Sequence, residues 1–444
     1  IEKVIIEDFW GDKTVNLKLK SDINFLIGVN GSGKTTIINL IAATLKADFA
    51  TLDRFQFRKI HIDLSPQILD SKTKRTAFIE VEKVDKSNSP FPSINFKIKK
   101  YTESEPRKYL LDALEEEHLF RHISDYTLQR RIARGPQFER DINIALQDLI
   151  SVSWLSIHRT ASNSRKKEER SFESTIDVKI EELQIELVKF FSQLNRKYSI
   201  ETEKFQKYIF ESLIDKLSEE EFADFRDFDI DKEKESLKQI FRHFNLNDKT
   251  INTKLDAYFT SFNESLVRLM EFANIDKAGL SQNTDINRPK FRFSDFAYIV
   301  NIRKIHSVVE QWNEVIKKQV RINEPRDTFL TVINSLLQRK ELLISEKNEL
   351  IVKTQSGKIF PLTNLSSGEK QLLIILGQSL LQEGNSHIYI ADEPELSLHV
   401  EWQEKLVSSL KRVNPNSQIL FATHSPDIVG DFSNSVIKVE ETIK

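Results

Sequence analysis

Gly28-Val29-Asn30-Gly31-Ser32-Gly33-Lys34-Thr35 follows the apolar run Ile23-Asn24-Phe25-Leu26-Ile27 and precedes Thr36-Ile37-Ile38-Asn39-Leu40-Ile41. The eight residues fit the spacing G-x-x-x-x-G-K-[ST]. A strand before the loop and a helix after it is the setting in which this spacing has chemical meaning. The loop's backbone N–H groups then converge on phosphate oxygens, and side chains at Gly28, Gly31 and Gly33 would stand in the way. Lys34 supplies a point charge to the phosphates and Thr35 a hydroxyl for Mg²⁺. Only 11 of the 444 residues are glycine, so three within six positions mark a backbone with special needs.

Outward from the loop, the chain divides in three. Residues 1–165 begin with β-type runs at 3–9, 14–20 and 23–27. Residues 76–84 and 94–101 alternate apolar and polar side chains around a turn and predict an antiparallel hairpin. The apolar run 149–157 predicts a further strand. Between Pro136 and Gly279 there is neither glycine nor proline, so long helices are expected over most of 166–343. Two stretches there have heptad-like spacing: Ile180, Leu183, Leu187, Phe190 and Leu194, then Ile305, Val308, Trp312, Val315 and Ile316. Both a helical bundle and a short antiparallel coiled coil fit. The polar stretch 281–289 interrupts the insertion. Residues 344–444 return to α/β character, with strands at 349–354, 358–361, 388–391, 418–422 and 436–439 and helices from 368 and over 400–413.

Composition narrows the function. Sixty-five Lys and Arg balance 67 Asp and Glu, for a net charge of −2, which argues against a strongly basic nucleic-acid coat. The absence of cysteine excludes disulfides, cysteine-ligated metal and cysteine nucleophiles, and suits a reducing cytoplasm. No apolar run approaches the ~20 residues of a membrane helix, so no membrane is expected among the partners.

Two further motifs follow. Ile388-Tyr389-Ile390-Ala391-Asp392-Glu393-Pro394 is an apolar strand ending in two carboxylates. Asp392 is placed to join the Mg²⁺ shell and Glu393 to polarise a water beside the γ-phosphate. Leu365-Ser366-Ser367-Gly368-Glu369-Lys370-Gln371 opens a strongly apolar helix whose serines serve as caps or as an anion site. Thr423-His424-Ser425-Pro426 follows a strand, where His424 is either structural or a γ-phosphate sensor.

In this order the segments resemble the ATP-binding-cassette ATPases, in the branch with the SMC, Rad50, RecF and OLD-type proteins. The motifs cover about 150 residues at the two ends. The resemblance implies an α/β ATPase head, a mixed sheet with an antiparallel β subdomain, interrupted by a long helical or short coiled-coil insertion. It implies ATP and Mg²⁺ as cofactors. Asn30, Gly31, Ser32, Gly33, Lys34, Thr35 and Thr36 of one head would bind ATP, and Ser366, Ser367 and Gly368 of a second head would complete the site in a head-to-tail dimer. Thr35 and Asp392 would hold the metal, Glu393 would be the general base and His424 would touch the γ-phosphate. Leu396-Ser397-Leu398-His399 occupies the D-loop position, with His399 where transporters have Asp; Ser367 and Glu369 likewise stand for a Gly and a Gln. Gln56, Gln67 and Gln137 each remain open as the Q-loop residue.

The stretches around 329–337, 359–376, 388–406 and 421–429 are similar to the ATPases of the PARIS and Septu anti-phage systems. That resemblance implies a homo-oligomeric ATPase that senses a phage-encoded trigger and holds a separate TOPRIM-type effector nuclease. Only 20 residues follow His424, so the effector is expected on another polypeptide. The alternative is a RecF/SMC-like ATPase that binds DNA directly, using Arg130, Arg131, Arg134, Arg140, Arg159, Arg165, Lys166, Lys167 and Arg170. Interleaved acids make a solvated charged face the plainer reading of that stretch. An insertion with helices of about 35 residues, ~50 Å long, suits partner recognition better than bridging distant DNA.

Overall fold

The computed structural model describes residues 1–70, 73–84, 93–111, 135–155, 175–214, 229–246, 248–277 and 292–444. Of the arginines and lysines named between 130 and 170, Arg140 alone falls within them, in a described helix but without a described side chain. The polar stretch 281–289 also lies outside them.

The described residues form two compact units. One comprises 1–190 and 325–444, the other 191–324. The first holds a six-stranded antiparallel sheet in the order Lys13–Lys18, Lys3–Phe9, Lys59–Asp63, Phe78–Val84, Ser93–Lys99, Arg107–Leu111. The expected hairpin is present, with Phe78 opposite Lys99 and Val84 opposite Ser93. Lys59–Asp63 and Arg107–Leu111 extend that sheet beyond the sequence reading. In KIHID only Ile60 and Ile62 point inward, and so short an alternation is a weak signal.

The same unit holds a five-stranded parallel sheet in the order Val152–Leu155, His387–Asp392, Ser417–Ala422, Ile23–Ile27, Val436–Lys438. Every residue of His387–Asp392 and Ser417–Ala422 is buried. That is why both read as unbroken apolar runs: a parallel sheet is covered on both faces. The helix Lys34–Lys46 packs Ile37, Ile38, Leu40 and Ile41 into a core with Leu26, Ile390 and Leu420 of this sheet and Ile6 and Leu17 of the other. Each such side chain contributes about 1.5–3 kcal/mol on burial.

The expected helical region ends earlier than 343. Lys340–Ile344 is a strand, paired antiparallel with Leu350–Thr354, which pairs in turn with Ile359–Phe360 across the Ser-Gly turn. The apolar pair Leu342-Leu343 fits a strand as readily as a helix when so few residues are read.

The second unit is helical. Its four helices, shared in part with the first unit, are Thr175–Ile214, Ile230–His243, Lys249–Lys277 and Phe293–Leu336. The first and last have 40 and 44 residues, longer than expected, or roughly 60 and 66 Å at 1.5 Å per residue. Trp312 and Val315 pack with Phe205 and Ile240, residues of three different helices, which makes this part a bundle rather than a two-helix coil. Pro325 lies inside the last helix, where it removes one backbone donor, and the unit boundary falls at that residue.

Candidate nucleotide-binding site

The parallel sheet brings the distant motifs to one edge. The glycine-rich loop leaves the C-terminal end of Ile23–Ile27, His424 follows Ser417–Ala422, and Asp392 ends His387–Asp392. The register aligns Leu26 with Ala422 and Ala422 with Asp392, so the three strand ends lie side by side. The edge beyond the carboxyl ends of parallel strands is where open α/β sheets bind ligands.

Within the loop, Gly33 adopts φ 95° and serves as N-cap of the helix Lys34–Lys46. Among the described residues no side chain caps that helix, so its first N–H groups are left for a ligand. A Cβ on Gly33 would also come within 3.1 Å of both Phe9 and Trp10. Lys34 is 6% exposed, and its Nζ donates to the carbonyls of Gly28 at 2.8 Å and Val29 at 3.0 Å. Burial lowers the Lys34 pKa, while Glu440, Glu393 and Asp392 oppose that shift. Thr35 Oγ1 donates to Asp392 Oδ1 at 3.2 Å, and Asp392 is buried. Ser32 Oγ is buried without a hydrogen-bond partner among the described residues.

An open cleft of about 210 Å³ lies over the loop. Asn30, Gly31, Gly33, Lys34, Thr35 and Thr36 form its floor. Glu393 and His424 line its wall, so the expected base and the expected sensor face the expected phosphate site. Glu393 holds a φ of 48°, a left-handed conformation rare for a side chain of its size. Glu395, two residues on, is missed by the sequence reading. Its Oε1 accepts from Thr423 Oγ1 at 2.6 Å, His424 N–H at 3.0 Å and Ser425 N–H at 3.3 Å, and so fixes the backbone that carries His424.

Trp10 is the second residue missed. It is 42% exposed, stacks on Phe9 with centroids 4.5 Å apart, and forms part of the cleft wall. Its φ is 60° and its N–H donates to the Gln56 carbonyl at 3.3 Å. A tryptophan after a strand carries no local sign of facing a loop over twenty residues away.

The residues fit a magnesium-bound polyphosphate. The cradle has an uncapped helix start, a buried lysine and an unpartnered hydroxyl. Among the described residues no group of three or more His, Asp or Glu could hold a metal unaided. A threonine hydroxyl and one carboxylate suit Mg²⁺, which takes its remaining ligands from phosphate and water.

The family model of the AAA ATPase domain matches residues 1–429. The chain belongs to this family. It is 28% identical over 159 residues to the Retron Vc95 probable ATPase of Vibrio cholerae serotype O1 biovar El Tor, covering 31% of each chain. It is 29% identical over 152 residues to the Septu protein PtuA of Bacillus thuringiensis, covering 31% of this chain and 37% of that protein. With the Retron Ec83 probable ATPase of Escherichia coli it shares 23% over 219 residues, 43% of this chain and 40% of that one. The chain thus spans about a third of the length of the curated relatives it matches. Among solved structures, a Pyrococcus furiosus Smc head domain with an extended coiled coil, bound to the C-terminal domain of ScpA, aligns over 97% of this chain and 90% of that one, with TM-score 0.42 and 13% identity.

In this AAA ATPase domain the LSSGEKQ segment lies apart from the cleft lining. Ser366 is the N-cap of the helix Ser367–Leu380 in a reciprocal capping box: its Oγ accepts from Glu369 N–H, and Glu369 accepts Ser366 N–H at 2.8 Å. Ser366 and Ser367 are exposed, and Gly368 is buried. Burial pushes the Glu369 carboxyl up, but hydrogen bonds from Lys340 and Ser366 outweigh it and the net shift is downward. Lys340 reaches both Glu369 oxygens at 2.9 Å. Among the described residues no helix is long and apolar enough to cross a membrane.

Proposed function

We propose that this ATPase domain binds ATP with Mg²⁺ in the cleft, hydrolyses it between two head-to-tail copies, and serves as the ATPase subunit of a bacterial anti-phage complex. One observation carries the reading: the glycine-rich loop, Glu393 and His424 line a single cleft at one edge of the parallel sheet, and Asp392 at the same edge hydrogen-bonds Thr35 of the loop.

The chemistry follows from the residues. Lys34 exchanges the Gly28 and Val29 carbonyls for phosphate oxygens. The N–H groups at the start of the helix Lys34–Lys46 take the remaining phosphate charge. Thr35 and Asp392 offer the protein's two oxygens to Mg²⁺, which when bound neutralises charge on the phosphates. Glu393 accepts a proton from the attacking water, and His424 donates to the γ-phosphate. The exposed face of Trp10 gives the base an apolar surface. The cleft falls short of the ~300–1,000 Å³ of complete ligand pockets. A second face, Ser366, Ser367 and Gly368 of another copy, would close it. The helices from Thr175–Ile214 to Phe293–Leu336 act as the insertion between the two lobes.

The likeness to a Septu protein and two retron ATPases supports a defence role. A phage-encoded trigger and a separate TOPRIM-type nuclease, as in PARIS, rest on the sequence resemblance alone.

Two variants test the site. Lys34→Ala loses nucleotide binding. Glu393→Gln keeps ATP binding, accumulates as an ATP-dependent dimer by native mass, and turns over at least ~100-fold more slowly. Normal turnover in Glu393→Gln removes the base assignment. Affinity purification of Glu393→Gln from its own operon tests the assembly. A nuclease in defined stoichiometry supports the defence reading, whereas a head dimer carrying DNA alone supports the RecF/SMC-like alternative.

A further inference from the structure

Glu440 lies beyond the residues 1–429 that the family model matches. The strand Val436–Lys438 runs parallel to Ile23–Ile27, with Lys438 opposite Ile27, so the chain leaves this strand beside the start of the glycine-rich loop. Val439 is fully buried and anchors the exit. The next side chain turns onto the loop. Glu440 Oε1 accepts the Val29 N–H at 2.7 Å. Its two oxygens lie 2.6 and 2.9 Å from the position a Cβ on Gly28 would take, so the glycine leaves the room the carboxylate occupies.

The same peptide unit is held at its other end. The carbonyl of Gly28, which shares its amide plane with the Val29 N–H, accepts from Lys34 Nζ at 2.8 Å. One peptide plane thus sits between an ammonium and a carboxylate. Charge-assisted hydrogen bonds of this kind are stronger than neutral ones. The Glu440 carboxyl is held below the usual carboxylate range, by its own backbone N–H first and by Val29 N–H next. When Lys34 moves to the phosphates it releases the carbonyl, and Glu440 is left as the group fixing the loop's entry.

We propose that Glu440 is a positioning residue for nucleotide binding, holding the Gly28–Val29 peptide in place while Lys34 transfers to the phosphates. The inference rests on the nucleotide-site reading above. The requirement is for an acceptor at Val29 N–H, not for a charge, so a glutamine amide oxygen substitutes.

The test titrates a fluorescent ATP analogue with Mg²⁺ into the full chain and its Glu440→Ala, Glu440→Gln and Lys34→Ala forms. Glu440→Ala is expected to bind roughly three- to tenfold more weakly, the effect of losing one hydrogen bond at an exposed site. Glu440→Gln is expected within about twofold of the unmodified chain. Nucleotide-free melting temperatures are expected to coincide. Equal affinity in Glu440→Ala and the unmodified chain overturns the proposal, as does equal weakening in both Glu440 variants. Hydrogen exchange without nucleotide gives a second arm: the Val29 amide should exchange faster in Glu440→Ala and not in Glu440→Gln, and unchanged exchange overturns the proposal. Failure of the unmodified chain to bind would instead sink the nucleotide-site reading, and the exchange arm would still decide the role of Glu440.

Discussion

Thr35 Oγ1 hydrogen-bonds to Asp392 Oδ1 at 3.2 Å, joining the first turn of the helix Lys34–Lys46 to the last residue of a strand 357 positions away. In the proposed site these two oxygens are the ones that would hold Mg²⁺. Thr35→Ala and Asp392→Asn should each retain ATP binding but lose its dependence on Mg²⁺. Titrations with Mg²⁺ and with a chelator should give nearly the same affinity in either variant, where the unmodified chain shows a clear difference.

Glu395 predicts a separable effect. Its carboxylate collects three donors around His424. Glu395→Ala leaves Thr423 Oγ1 and two backbone N–H groups without their acceptor, at a cost of about 1–3 kcal/mol in urea denaturation. Hydrolysis should fall because His424 is no longer held at the cleft, while ATP affinity changes little. A loss of binding comparable to that of Lys34→Ala would contradict the assignment.

Gly368 has an intramolecular reason to be glycine. A Cβ there would lie 2.5 Å from the Ser397 carbonyl oxygen, and Ser397 itself has φ 72°. Gly368→Ala therefore forces two backbones apart and should destabilise the folded chain by about 1–3 kcal/mol. Ser366→Ala, which loses only the cap, should cost about 1 kcal/mol. Denaturation of each variant without nucleotide checks both values and separates packing from any role across a dimer.

His387 predicts an acid sensitivity. It is 3% exposed, and its two ring nitrogens lie 2.8 Å from Ser151 Oγ and Ser153 Oγ. Burial, aided by Lys46, pushes its pKa down to about 4 from the ordinary 6.5. A lowered histidine pKa means that the unfolded chain takes up the proton first as pH falls. The stabilisation is complete above about pH 6.5, declines through the interval, and is gone near pH 4, with a ceiling on the order of 3 kcal/mol. Stability against pH should flatten over this interval in His387→Asn; an unchanged slope would assign the acid sensitivity elsewhere.

Glu80 acts lower on the scale and on the other sheet. Burial pushes its carboxyl up, but Lys59, Lys97 and His61 outweigh that and bring it down to about 2. A depressed carboxyl contributes stability above about pH 4.5 that is lost toward pH 2. Glu80→Gln should lose stability at neutral pH and show a shallower decline over that range, measured by the same denaturation series.

What the sequence disclosed, it disclosed through local constraint. Gly28 to Thr35 betrays the loop because backbone geometry and phosphate chemistry limit each position. His387–Asp392 and Ser417–Ala422 read as strands because both faces are covered. The serines of Leu365–Gln371 read as caps or an anion site because a helix start exposes unpaired N–H groups, and Ser366 is the cap. Trp10, Glu395 and Glu440 stayed hidden because each acts on a partner brought near only by the sheets: Trp10 on the loop, Glu395 on residues 423–425, and Glu440 on Val29. Lys340–Ile344 reads as a continuation of the helices before it because five residues, the last three of them apolar, do not separate the two periodicities.

The strand that carries the loop has both its neighbours in the far part of the chain: Ile23–Ile27 is flanked by Ser417–Ala422 and Val436–Lys438. During synthesis the loop waits for roughly 390 residues before the first of those neighbours is added. At ribosomal rates of about 5–20 residues per second, that delay is roughly 20–80 s. The intervening helices from Thr175–Ile214 to Phe293–Leu336 are complete before then and assemble within it. Throughout that delay the nucleotide motif of a nascent chain is written but inert, and it gains the ability to read ATP only as Ser417–Ala422 and Val436–Lys438 close on either side.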